Sequence, residues 1–214
     1  MKKLLSISGL AFVTAWVAGL MTTSNAPKPS TAGTALKAYY DSHQHVAMLQ
    51  TLCVDALAGL ALIGLTIGLF RTFSDPTSQR RIRLVGFTAA AISLLQAGIG
   101  ETLATQGAGS GNPTLVRALF VTLNDADTIK IALLGCVIAI VSVRAQQSIR
   151  LPRWLSNTGL IFAPILAISG LAFPLNSDAL YGLLYLTLPA LLLWTGFTSI
   201  TLSRQNGKPQ VATA

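Results

Sequence analysis

The sequence predicts an all-α, multi-pass transmembrane helical bundle, and three observations carry that prediction. Hydrophobic residues make up 52% of the 214 and charged residues only 10%, a balance that an ordinary water-soluble domain of this size does not have. The apolar residues gather into six runs, near 4–22, 46–70, 84–106, 125–144, 157–174 and 180–203. Each is close to the 20 or so residues with which a helix crosses roughly 30 Å of hydrocarbon. No run alternates with period two, which excludes a membrane barrel and leaves helices as the way to pair every backbone group in lipid. The connections are short and no internal repeat is visible, so 1–214 reads as a single integral membrane domain.

The first run follows Met1, Lys2 and Lys3 and is apolar from Leu4 to Met21. With Thr22 to Ala26 behind it, this pattern also fits a secretory signal peptide, whose removal would leave five helices. Its length of about 18 residues exceeds the usual 7 to 15 of a signal core, and Pro27 sits poorly after the small-residue site, so a retained helix is favoured. Residues 24–33, rich in Pro, Ser, Thr and Gly, read as a flexible linker. Leu36 to Gln44 has helical character and contains Tyr39, Tyr40 and His43, which suits the headgroup region ahead of the second run.

The second run carries Gln50, Thr51 and Asp55, followed by Gly64 and Gly68 as a GxxxG pair, for which a homodimer contact is one expectation. The third carries Ser93, Gln96 and Glu101 and ends at Gly107 to Gly111. That glycine-rich stretch lacks the preceding strand and the Lys of a phosphate loop, so it reads as a turn. Asn112 and Pro113 read as the N-cap and first residue of a helix of about thirty residues, too long for one crossing unless its outer turns stand above the lipid. Asn124, Asp125, Asp127, Thr128 and Lys130 lie in its path. Pro164 and Pro189 fall inside the fifth and sixth runs and are expected to kink them.

Orientation follows from the fifteen Lys and Arg. Lys2, Lys3, Arg71, Arg80, Arg81, Arg83, Arg144, Arg150, Arg153, Arg204 and Lys208 share one side, against Lys28, Lys37, Arg117 and Lys130 toward the other. This bias places both termini in the cytoplasm of a cell whose inner or plasma membrane holds the protein. It also accounts for most of the net charge of +8. Nucleic acid is not the expected partner, because the short basic loops carry no aromatic platform or helix-turn-helix pattern.

Polar residues within the runs are the functional candidates, since a charge at the bilayer centre costs about 2.5–3.5 kcal/mol on insertion scales. Asp55 lies about nine residues into its run, near mid-membrane, with Gln96 at a similar level. Glu101, Asp127 and Lys130 fall in the outer third. Gln44, Thr51 and Asp55 share one helical face, as do Asn124, Asp127, Thr128 and Ile131, and Asp127 and Lys130 can pair at i, i+3. Asp55, Gln96, Glu101, Asp127 and Lys130 are therefore expected to line an outward-facing polar pocket that binds a small solute or ion, Asp55 being its proton or cation site. A plainer reading makes Asp127 with Lys130 an interfacial ion pair, Glu101 a wet helix end and Asp55 a protonated structural group.

No metal site is expected: His43 and His45, at i and i+2, point apart on a helix and have no Cys or third His beside them. Cys53 and Cys136 are single thiols in separate runs. No nucleophile with its base stands out, so neither catalysis nor a cofactor is expected.

Leu151-Pro152-Arg153-Trp154-Leu155-Ser156, with the entry from Asn112 to Phe120 and the six-run layout, resembles an uncharacterised family of small bacterial six-helix membrane proteins. There a Leu-Pro-Arg-x-Leu-Gly turn opens the fifth span, and Ser156 stands here in place of the Gly. The resemblance implies the topology and supplies no activity. Two functions remain in view: a small-solute or ion carrier or receptor, and a non-catalytic membrane subunit, scaffold or assembly factor bound to a protein partner.

Overall fold

The computed structural model describes residues 2–22, 27–109, 111–148 and 150–205. Among these, every regular element is helical: α1 (Lys2–Met21), α2 (Gly33–Thr51), a π turn (Leu52–Leu57), α3 (Ala58–Phe70), α4 (Pro76–Ala108), α5 (Pro113–Gln147), α6 (Arg153–Ser169), α7 (Ala172–Leu175) and α8 (Asp178–Gln205). The second element, the π turn and α3 follow one another over Gly33–Phe70, with a kink at His43, and α6 with α7 spans Arg153–Leu175. Six segments are thus long and apolar enough to cross a membrane. The expected cleavage region at Ser24 to Ala26, Ser110 of the glycine turn and Lys208 lie outside the described residues.

The helices start where the sequence supplies acceptors for their free N–H groups. Asp75 accepts from Ser78 N–H at 2.9 Å ahead of Pro76, and Asn112 accepts from Thr114 N–H at 2.8 Å ahead of Pro113. The Ser78 hydroxyl and N–H, together with Arg144, hold the Asp75 carboxyl below its ordinary value of 3.8. Its Oδ2 lies 3.1 Å from Arg144 Nη2, which ties the start of α4 to the end of α5. Asn176, with φ of 45°, turns the chain out of α7.

Each span packs on its neighbours in chain order, and α8 closes back on α1, so the bundle is a ring. Close approaches are made at glycines: Gly64 and Gly68 of α3 receive Ser8 and Leu5 of α1, and Gly135 of α5 meets the backbone of Ala163 in α6. The GxxxG pair thus faces α1 of its own chain. α1 buries Leu5, Phe12, Ala15 and Trp16 in the shared core.

The helices outrun the apolar runs. α5 has 35 residues, about 52 Å of helix, well beyond the hydrocarbon thickness. The segment from Leu36 to Gln44 joins the second span through a kink at His43, whose φ of −126° and ψ of 24° are not helical. Its outer turns pack against those of α4 and α5 through a small second core of Leu36, Tyr40, Ala47, Leu103, Ala104, Val116 and Phe120. Arg117 Nη1 donates to Thr31 O at 2.6 Å across this head. The main core occupies the rest of the ring and includes Ala58, Ala90 and Ile131.

Within the ring, Phe12, Leu65, Leu134, Leu191, Trp194 and Thr198 help to enclose a cavity of about 20 Å³, room for one water. Thr198 Oγ1 is buried and makes no hydrogen bond. Thr198→Val, which keeps the shape and removes the stranded hydroxyl, is expected to raise stability by about 1 kcal/mol. The melting temperature of the solubilised protein reads this directly, and a lower value would mean that the hydroxyl is bonded.

Candidate functional site

Between the two cores lies a polar layer. Along the second span it falls between Ala47 and Ala58, on α4 between Ala90 and Leu103, and on α5 between Phe120 and Ile131. Counted from Arg71, Arg83 and Arg144 at 1.5 Å per residue, Asp55, Gln96 and Lys130 all stand roughly 20–24 Å from the basic end. Three antiparallel segments therefore bring polar side chains to one level in the far half of the bundle.

Lys130 is the centre of this layer and is only 2% exposed. Its ammonium donates to Asp55 Oδ1 at 3.0 Å and lies 2.7 Å from Asp127 Oδ1. Trp16 of α1 presents its ring 5.6 Å from Nζ, within reach of a cation–π attraction. Gln96 Nε2 donates to Asp127 Oδ1 and to Leu123 O, both at 3.0 Å, so α4 holds the carboxylate from behind. Gln96 Oε1 is buried without a donor. Ser93 Oγ donates to Asp55 O at 3.0 Å. Thr128 Oγ1 reaches Gly170 O at 2.9 Å, fixing the same level of α5 against the end of α6.

Asp55 sits inside the π turn, where Ala58 N–H reaches back to Cys53 O. One extra residue per turn rotates everything before it relative to α3, and such turns are frequent at functional positions. The Asp55 side chain is 10% exposed, whereas that of Asp127 is 27% exposed and forms the cluster's more open face. With all three groups ionised, two carboxylates face one ammonium, leaving one excess negative charge. A buried ion group is tolerated when paired and hydrogen-bonded, and its surplus charge favours uptake of a proton or small cation.

Four of the five sequence candidates, Asp55, Gln96, Asp127 and Lys130, thus meet in one constellation. Glu101 does not join them: it is exposed, one turn further out on α4. The four form one hydrogen-bonded network, and the apolar cavity enclosed in part by Phe12 and Leu134 lies one helical turn from Trp16 and Lys130. Sequence reasoning missed Trp16 and the π turn. A single tryptophan in an apolar run looks like packing, and nothing local marks Leu52 to Leu57 as π rather than α. His43, excluded as a ligand, stacks on Tyr39 and has Nδ1 2.7 Å from Ser42 Oγ.

Fold and site together define a six-helix transmembrane bundle with a buried dicarboxylate–ammonium cluster. No protein-family model, curated protein or solved structure matches the chain.

Proposed function

We propose that this protein is a membrane carrier or receptor that takes up a proton or small monovalent cation at the Asp55–Lys130–Asp127 cluster. The observation that supports it is the charge count: two carboxylates on one buried ammonium, in lipid, favour a further positive charge. Asp127 receives it from the more open side, Gln96 holds Asp127 in place, and the π turn gives Asp55 a backbone that can shift register. In this reading the protein lies in the inner or plasma membrane of a bacterial cell, with both termini cytoplasmic, as the eleven-to-four distribution of Lys and Arg favours.

The test is a flux measurement on the full chain reconstituted in vesicles loaded with a pH-sensitive dye. Wild type is expected to dissipate an imposed proton or sodium gradient faster than protein-free vesicles. Asp55→Asn, which leaves Lys130 paired with Asp127, is expected to fall to the protein-free rate at unchanged membrane abundance. Equal rates in wild type and variant would overturn the proposal.

One observation favours a second reading. Lys130 itself is 2% exposed, with both carboxylates and the Trp16 ring around its ammonium, as suits a structural layer in a non-catalytic subunit or assembly factor. That reading expects no flux and a stoichiometric protein partner on purification. A homodimer through Gly64 and Gly68 would require α1 to move aside first.

A further inference from the structure

Two guanidinium groups converge on one phenyl ring at the basic end of the bundle. Arg83 Cζ stands 4.1 Å from the centre of the Phe70 ring and Arg71 Cζ 5.8 Å from it. Both side chains are exposed, and Arg83 also donates to Gln79 Oε1. Two guanidinium groups within about 6 Å of one ring centre concentrate positive charge there, and a bound anion offsets it. Among the described residues the chain supplies none. Asp75 is the acidic residue of this end, and it is already engaged by Ser78 and Arg144. Among the described residues neither Arg71 nor Arg83 has a carboxylate partner.

What lies beside the pair is apolar. Phe87, one turn along α4 from Arg83, meets Phe70 edge-on at 6.5 Å and is 38% exposed; Leu84 is 68% exposed. Forked cations at the interface, with an exposed aromatic and aliphatic strip running from them into the bilayer, match a phosphate headgroup with acyl chains below it. We infer that Arg71 and Arg83 over Phe70 form a binding site for the phosphate of an anionic phospholipid, whose chains lie along Leu84 and Phe87. The site is separate from the buried cluster and does not depend on what that cluster does.

The test measures lipid retention by the detergent-solubilised full chain in native mass spectrometry, titrated with cardiolipin, phosphatidylglycerol or phosphatidylcholine. Wild type is expected to retain the anionic lipids in preference to phosphatidylcholine. Arg71→Gln with Arg83→Gln is expected to weaken that retention roughly thirtyfold, on the scale of two interfacial basic residues. Arg81→Gln with Arg153→Gln removes the same charge from positions off the ring and is expected to change it less than about twofold. Melting temperatures in phosphatidylcholine verify that each variant is folded. If the double variant does not fold, Arg71→Lys with Arg83→Lys keeps both charges without the fork, and must weaken retention too. Equal losses in the two Gln pairs would reduce the effect to net charge and overturn the site. So would an absence of preference over phosphatidylcholine. Displacement of the lipid by millimolar inorganic phosphate would reassign the site to free phosphate and overturn the lipid proposal.

Discussion

Lys130→Met is expected to be the most damaging single substitution in the bundle. It removes the ammonium that both Asp55 and Asp127 contact, at 3.0 and 2.7 Å, and leaves the buried Asp55 and the half-buried Asp127 carboxylates with only Gln96 Nε2 and the bundle's dipoles to oppose them. Breaking a buried pair from one side costs about 3–5 kcal/mol, because the uncompensated charge remains in a medium that solvates it poorly. Against an ordinary stability of about 5–15 kcal/mol this is a large share, seen as reduced membrane abundance and early thermal unfolding. The remedy identifies the cause. Adding Asp55→Asn to Lys130→Met removes one stranded carboxylate, and the double variant is expected to be more stable than Lys130→Met alone. A double-mutant cycle on unfolding free energies isolates the coupling. If Lys130→Met melted like wild type, the cluster would not exist as described, and the proposed cation site would fall with it.

Gly68→Leu carries the second large expected effect. A Cβ at Gly68 would stand 2.8 Å from Leu5 Cβ and 3.0 Å from its backbone Cα, so relief requires α1 to shift as a whole rather than one side chain to turn. Overpacking of this kind costs about 1–3 kcal/mol. Because α1 also carries Trp16, its displacement uncovers one face of Lys130. Gly98 is the control, since nothing lies within 4 Å of the position its Cβ would take. Gly98→Leu is expected to melt no lower than wild type, helped by the gain in helix propensity. The experiment also separates two roles for the GxxxG pair. Lost stability at an unchanged oligomeric state means that the glycines seat α1; an unchanged melting temperature with a lost dimer means that they join two chains.

Much of this architecture follows from hydropathy alone. Backbone groups in lipid have no water to turn to, so six apolar runs become six helices, and Asn112-Pro113 marks a helix start that the structure reproduces. The ends were less legible. Hydropathy registers the part of a helix that lipid touches. Leu36, Tyr40 and Phe120 extend α2 and α5 beyond it by packing on each other, a contact between segments some eighty residues apart. The site divides in the same way. Depth along antiparallel spans put the four site residues in the outer half, Asp55 and Gln96 near mid-membrane and Asp127 and Lys130 in the outer third, and the structure brings them to one level.

Which of those side chains meet is a matter of rotation about each helix axis, and there counting from sequence ran out. The π turn changes the face that Asp55 presents, and Glu101, at nearly the right depth, remains outside. By itself, then, the sequence determined a six-span helical membrane protein, its charge asymmetry and the half of the bundle that holds its polar residues, all of which depend on composition and on distance along the chain. Tertiary structure alone decided that the spans close into a ring, that α1 caps Lys130 with Trp16, and that two carboxylates share one ammonium. Those depend on which helix faces touch, and that is set by packing summed over the whole bundle.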